Sequence, residues 1–230
     1  MATPMVYGHR GTPGREPENS LAGFELAGRI GADGVELDVR RTVDGELVVH
    51  HDPALADGRL LAATARAELP AGIPTLARAL DVCAGADLVV NVELKNVPGE
   101  PDFDPTAQLA DQVVDTLATR SGRDRVLISG FDLATVDRVR ARAPRLATGF
   151  LTLLEPTPTE GLAMAAEHGH DAFHPYHAFV DEALVVGAHE RGLALNTWTV
   201  DDLDRARQLA AWGVDGIVTN VPDAVARALR

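Results

Sequence analysis

The chain has 230 residues, 46% of them hydrophobic, and a formal net charge of −13. That length suits one α/β barrel with a sizeable core, and the charge argues against general affinity for nucleic acid or anionic membrane. Cys83 is the only cysteine, which excludes an internal disulfide; its apolar helical surroundings predict a small buried hydrophobe. The N-terminus runs into Gly8-His9-Arg10 without an apolar signal core. No stretch is long and apolar enough to span a bilayer. A soluble protein of a reducing compartment, the cytoplasm, is expected.

In chain order, β-rich runs begin near Met5, Gly34, Asp87, Arg125, Ala147, Ala172, Ala194 and Gly216, with amphipathic segments between them. The first run ends on His9 and Arg10. In the second, "GVELDVRR", Glu36 and Asp38 stand two apart and share a face, while Val35, Leu37 and Val39 take the other. A turn at Asp44-Gly45 and a further apolar run bring the chain back to His50-His51-Asp52, a short β-hairpin extension after the second strand. Residues 53–74 read as a loop with one short helix. The third run, "VVNVELK", ends on Glu93 and Lys95. In "DPTAQLADQVVDTLATRSG", Asp104 is placed to cap a helix, Pro105 to fill its first turn and Gly122 to end it. "VDEALVVGAHERG" and "DDLDRARQLAAWG" also end in glycine, which tolerates the left-handed cap. The sixth, seventh and eighth runs end on His174, Trp198 and Asn220. Eight strand–helix units with no linker predict a single-domain (β/α)8 TIM barrel over residues 1–230. The lack of a glycine-rich phosphate loop disfavours a doubly wound open sheet.

Such barrels do their chemistry where strands end and loops begin. Glu36, Asp38 and Glu93 come from adjacent strands and should converge there. Three ionised carboxylates would repel one another and resist desolvation, so protons, cationic side chains or a metal must neutralise them. An all-oxygen donor set suits Mg²⁺ or Ca²⁺. The purely structural alternative pairs Arg10, Arg40 and Lys95 with these acids as an internal salt-bridge network. His9 and His51 add groups that move protons near neutral pH, and Arg10 and Lys95 suit phosphate. Together they point to phosphodiester cleavage, one histidine acting as base and the other protonating the leaving alkoxide.

"GHRG", "PENS", "GVELDVRRTVDGELVVHHDP", "VELK", "NTWTV" and "WGVDGIVTN", in that order and spacing, resemble the glycerophosphodiester phosphodiesterases from about Tyr7 to the C-terminus. The resemblance implies a barrel that hydrolyses glycerophosphodiesters to an alcohol and glycerol 3-phosphate with one divalent cation, Mg²⁺ or Ca²⁺. It implies Glu36, Asp38 and Glu93 as metal ligands and His9 and His51 as the acid/base pair, with His50 left to packing or surface. Arg10 and Lys95 would contact the phosphate. Trp198 would pack along the substrate cleft, and Asn19 would hydrogen-bond near the metal or cap the helix that starts near Ser20. Glu18 matches too, or favours that helix start electrostatically. His174 stands at a strand end; His168, His170 and His189 read as surface.

Three positions depart from the family pattern. Gly130 stands where its serine would align, Asn220 replaces a mouth carboxylate, and the segment after Pro53 is short. The partner expected is a small-molecule phosphodiester, with no nucleic acid and no stable membrane insertion. The alternatives are a phospholipase D-like enzyme acting on lysophospholipids or sphingolipids, and a non-catalytic binding barrel.

Overall fold

A computed structural model of the chain describes residues 3–230. The strands are β1 (Met5–Gly8), β2 (Gly34–Arg41), β3 (Leu47–Val49), β4 (Val89–Leu94), β5 (Val126–Gly130), β6 (Ala147–Thr152), β7 (Ala172–Pro175), β8 (Ala194–Thr197) and β9 (Gly216–Thr219). The helices are α1 (Leu21–Arg29), α2 (Leu76–Gly85), α3 (Gln108–Ala118), α4 (Leu133–Arg142), α5 (Pro158–Glu167), α6 (Glu182–Glu190), α7 (Leu203–Trp212) and α8 (Pro222–Leu229). All strands but β3 run parallel, and β1 pairs with both β9 and β2, which closes a (β/α)8 barrel. The strands start where the sequence pattern puts them, except that β4 begins at Val89 rather than Asp87 and β5 at Val126 rather than Arg125.

The hairpin after β2 is present. Val39 pairs with Leu94 on one side and with Val49 on the other. So β3 occupies the edge of β2 that β1 leaves free beyond Val35, and it delivers His50 and His51 to the barrel mouth.

Alternation along the strands sorts the side chains. Val35, Leu37, Val39, Val90, Val92, Leu94 and Ile128 face outward and pack with Phe24, Leu76, Leu80 and Val113 of the surrounding helices. Phe150, Phe173, Leu195 and Ile217 do the same on the opposite side of the barrel. The inward register carries Glu36, Asn91, Ser129, His174 and Asn196, all buried. The barrel lumen is therefore unusually polar, and its acids lie toward the strand ends.

Some local expectations are corrected. The helix expected from Asp104 starts later, at Gln108. Asp104 instead accepts from the backbone N–H of Thr106 and Gln108, so it caps the turn before the helix, and Pro105 lies outside it. Residues 53–74 contain two 3₁₀ turns, Leu61–Ala63 and Arg66–Glu68, rather than one helix; Leu55, Leu61 and Leu69 pack on Val48 and hold this segment down. His170 is buried, not on the surface. Gly169 adopts a left-handed φ of 71° that turns the chain inward, and the His170 Nδ1 meets Thr148 Oγ1 at 3.0 Å. Cys83 is buried as expected, and burial pushes its thiol up to about 12.

Closure brings β1 against β2 at Gly34, where an added Cβ would lie 2.5 Å from the Val89 carbonyl oxygen and 2.7 Å from the Tyr7 ring. Overpacking of this kind costs about 1–3 kcal/mol. Gly34→Ala should lower the urea unfolding midpoint by an amount in that range. Gly85→Ala, at a helical position with open space around it, should leave stability unchanged or raise it.

Candidate active site and metal centre

β2 and β4 pair in a register that sets Asp38 beside Glu93 and Glu36 beside Asn91. The period-2 alternation that sends valines and leucines outward thus sends three carboxylates into the mouth. Oxygens of Glu36, Asp38 and Glu93 lie within 4.8 Å of one another, the one such group among the described residues. All three side chains are buried.

Two cations reach this cluster. The Arg10 Nε lies 3.3 Å from Asp38, and its Nη1 donates to Glu18 at 2.9 Å. The Lys95 ammonium donates to Glu93 at 2.9 Å and lies 3.7 Å from Asp38. Arg40, a member of this network in the purely structural alternative, takes no part in it; its partners are Glu100 and Asp102. Two positive side chains, one of them shared with Glu18, therefore face three acids, and at least one negative charge is left over.

That surplus falls on Glu36. One of its oxygens accepts only the backbone N–H of Arg10 at 3.0 Å, and the other is buried without a hydrogen-bond partner. Burial first, then the charges of Asp38 and Glu93, hold the Glu36 carboxyl well above the usual carboxylate range. Burial also raises Glu93, against the pull of Lys95. Lys95 is disfavoured by burial, but Glu93 and Asp38 outweigh this and hold its charge. An all-oxygen trio with one excess negative charge and a lone acceptor fits a hard divalent cation. The Arg10 Nε–H, although 3.3 Å from Asp38, is buried without a well-directed hydrogen bond.

His9 follows β1, where Arg10 and Gly11 both take left-handed φ, 50° and 90°. Its Nδ1 is 2.8 Å from Asn220 Oδ1, and its Nε2 is 3.9 Å from Glu36. Asn220 gives its own N–H₂ to Asp201 at 2.7 Å, so its oxygen must be the acceptor and His9 must carry its proton on Nδ1. The Nε2 lone pair is then free. Burial, foremost, lowers the His9 pKa, so the ring is neutral at pH 7. His51 meets Asp52 through Nδ1 at 2.7 Å and is one-third exposed. That bond, with the nearby positive charge, lowers Asp52. A carboxylate partner supports an imidazolium where an amide does not. His51 is close enough to bias the titration of both His9 and Glu93.

Asn19, held at φ 56°, is buried and locked to Asp38: its Nδ2–H donates to Oδ2 at 2.8 Å and its oxygen accepts the Asp38 N–H at 3.2 Å. The helix cap is Ser20, which accepts from Gly23 N–H, so Asn19 is not the cap. Trp198 follows β8 and donates its indole N–H to the His174 carbonyl at 2.9 Å. It stands edge-on to Phe131 and Tyr176, with centroids 5.5 and 5.4 Å away. Phe131 also lies under Lys95, 5.9 Å from the ammonium. These rings, with Leu153 and Leu154 after β6 and Phe179 after β7, give the mouth an apolar side; Leu154 is 66% exposed. His174 sits in the lumen, where complete burial drops its pKa to about 3 and Asn196 meets its Nε2 at 3.0 Å. Gly130 costs the mouth nothing, because a side chain there would point at Val136 of α4. Sequence reasoning missed Phe131, Tyr176, Asp52 and Asp201; only the aspartate next to His51 had a local signal.

The profile of the Glycerophosphoryl diester phosphodiesterase family matches residues 9–224. A glycerophosphodiester phosphodiesterase of Caldanaerobacter subterraneus is 31% identical, over 98% of this chain and 98% of its own. Among solved structures, an Oleispira antarctica phosphodiesterase in complex with the product sn-glycerol-3-phosphate has a TM-score of 0.88 at 27% identity, covering 98% of this chain and 96% of that one. A Thermotoga maritima glycerophosphodiester phosphodiesterase has a TM-score of 0.83 at 25% identity, covering 99% of each.

The Asn220 contact makes a prediction that needs no substrate. The bond from His9 Nδ1 raises the His9 pKa against the stronger effect of burial. Asn220→Leu removes that bond, so the pKa should fall further below 6.5 and the Nδ1–H tautomer should no longer dominate. An NMR titration of the His9 ring reads both; a rise in pKa would contradict the geometry.

Proposed function

The chain belongs to the glycerophosphoryl diester phosphodiesterase family, and from that premise we propose that it hydrolyses glycerophosphodiesters to an alcohol and sn-glycerol 3-phosphate. The observation that carries the reading is the buried trio of acids, short by one positive charge and flanked by two histidines that differ in their partners. Glu36, Asp38 and Glu93 would hold one divalent cation, Mg²⁺ or Ca²⁺. Such an ion supplies Lewis-acid charge to a bound diester. Arg10 and Lys95 meet the phosphate on its anionic oxygens, and Asn19 fixes Asp38 in place. Trp198 walls the opposite side of the cleft.

The roles of the histidines follow from their partners. His9, neutral and buried with Nε2 free, takes the proton of the hydroxyl that attacks phosphorus, either that of water or that of the glycerol 2-position through a cyclic phosphate that water then opens. His51, backed by the Asp52 carboxylate, holds a proton on Nε2 and gives it to the leaving alkoxide as the P–O bond breaks. Proton transfer by a placed side chain contributes about 10²–10⁴-fold.

A second reading, phospholipase D-like cleavage of lysophospholipids, is favoured by one observation. Leu153, Leu154 and Phe179 are exposed at the mouth, at 45%, 66% and 42%, where an alkyl chain would cover them.

Chelator treatment should abolish glycerol 3-phosphate release from glycerophosphocholine, and added Mg²⁺ or Ca²⁺ should restore it. His9→Ala and His51→Ala should each lower kcat by about 10²–10⁴-fold. A glycerol phosphodiester with a p-nitrophenyl leaving group needs no proton on departure. On it His51→Ala should lose far less than His9→Ala, and the reverse order would exchange the two roles. Release rates from lysophosphatidylcholine and glycerophosphocholine separate the two substrate classes: the first reading expects the water-soluble diester to be faster.

A further inference from the structure

Arg40 is a buried cation that the chemistry above does not use. It stands on the inward register of β2, two residues beyond Asp38, and its side chain is fully buried. Its Nε–H donates to the His51 carbonyl oxygen at 2.7 Å. Its Nη1 donates to Asp102 at 2.7 Å and toward the Lys95 carbonyl oxygen at 3.4 Å, and its Nη2 donates to Glu100 at 2.7 Å. One planar group thus joins β2, the loop that bears His51 and the loop that follows β4. Glu100 and Asp102 neutralise it, so it leaves the charge of the acid trio untouched.

The His51 loop needs such an anchor. Among the described residues the ring of His51 is held only by Asp52, which is 71% exposed, and exposed ion pairs hold geometry weakly. The segment that follows is short and closes on its own small apolar cluster with Val48. What ties His51 to the barrel is backbone: the His50 N–H donates to the Asp38 carbonyl at 3.0 Å, and the His51 carbonyl accepts from Arg40. A buried ion cluster is no more stable than apolar packing of the same volume, so stability alone does not account for a guanidinium here. Its fork reaches four acceptors, two backbone carbonyls and two carboxylates, which the three donors of an ammonium cannot do.

We propose that Arg40 is a positioning residue that sets His51 against the substrate by clamping its backbone to the loop after β4. The inference rests on the reading of His51 as a proton carrier. Misplacing a reacting group by about 1 Å costs on the order of 10²-fold.

The test measures kcat and KM for Arg40→Met, His51→Ala and the double variant, each shown to be folded by thermal unfolding. Arg40→Met should lower kcat by about 10–100-fold with KM within about twofold. In the His51→Ala background it should cost nothing further, and on the p-nitrophenyl diester its penalty should shrink as that of His51→Ala does. Arg40→Lys keeps a cation opposite Glu100 and Asp102 but loses the fork; it should show the same kcat defect and keeps the test open if Arg40→Met does not fold. Losses that multiply with that of His51→Ala, or a near-normal kcat in Arg40→Lys, would overturn the positioning role. Should His51→Ala alone be indifferent to the leaving group, the proton-donor reading fails, while additivity still judges Arg40. Should His51→Ala retain full activity, both fall.

Discussion

One excess negative charge, buried where β2 and β4 end, is the constraint on which the rest of the molecule turns. Asp38 and Glu93 each have a cation within reach, whereas Glu36 has only a backbone N–H and an oxygen with no partner. An isolated ion in such a place costs several kcal/mol, so the fold tolerates the trio only if something else compensates it. A proton on Glu36 does so, in keeping with its raised pKa; a divalent cation would do so while keeping all three carboxylates ionised. The register of β2 on β4 is what creates this tension. Slipped by one residue, the same strand would drive Glu36 and Asp38 into the apolar layer beneath α1 and α2 and turn Leu37 into the lumen. The outward-facing valines and leucines therefore fix the site as firmly as the acids do.

The two histidines show how one residue type is given two characters. His9 faces an amide that is itself pinned by Asp201; His51 faces a carboxylate open to water. The amide imposes a tautomer without adding charge, and burial keeps the ring neutral. The carboxylate accepts from the His51 Nδ1–H and so imposes the same tautomer on a partly exposed ring. Asn220, where the family pattern has an acid, is thus consistent with a neutral His9, since a carboxylate there would pull the ring toward imidazolium.

Much of this was legible in the sequence because it is written with short periods. The alternation in "GVELDVRR" gives the inward acids, and the repeated strand–helix units give the barrel. What failed depends on contacts between distant residues. Arg40 shares the parity of Glu36 and Asp38, and the purely structural alternative pairs it with them. Its true partners lie 60 and 62 residues away in a loop with no periodic signal. Asp104 has the right type for a helix cap, but the chain turns once more before α3 begins, and local propensity could not place that turn. Asn19 and Ser20 are both capping residues side by side. Only the position of Asp38 across the barrel decides that Ser20 caps and Asn19 reaches inward. His170 looked like a loop residue because the left-handed glycine before it buries it through geometry, not composition.

The mouth divides along the barrel's own circumference. β1, β2 and β4 bring charge; β5, β7 and β8 bring Phe131, Tyr176 and Trp198. Lys95 sits at the seam, bonded to Glu93 on one side and over the Phe131 ring on the other. A phosphodiester has the same division, an anionic centre between two organic arms, so a diester with its phosphorus at the charged sector must lay at least one arm across the rings. Aromatic faces accept either glycerol C–H groups or a longer chain, and Leu153 and Leu154 extend that surface outward rather than closing it. The short segment after Pro53 packs its leucines on Val48. On the proposed chemistry, discrimination between leaving groups rests on the rings and on how rigidly His51 is presented to the departing oxygen. That couples the apolar side of the mouth to the Arg40 clamp on the opposite side.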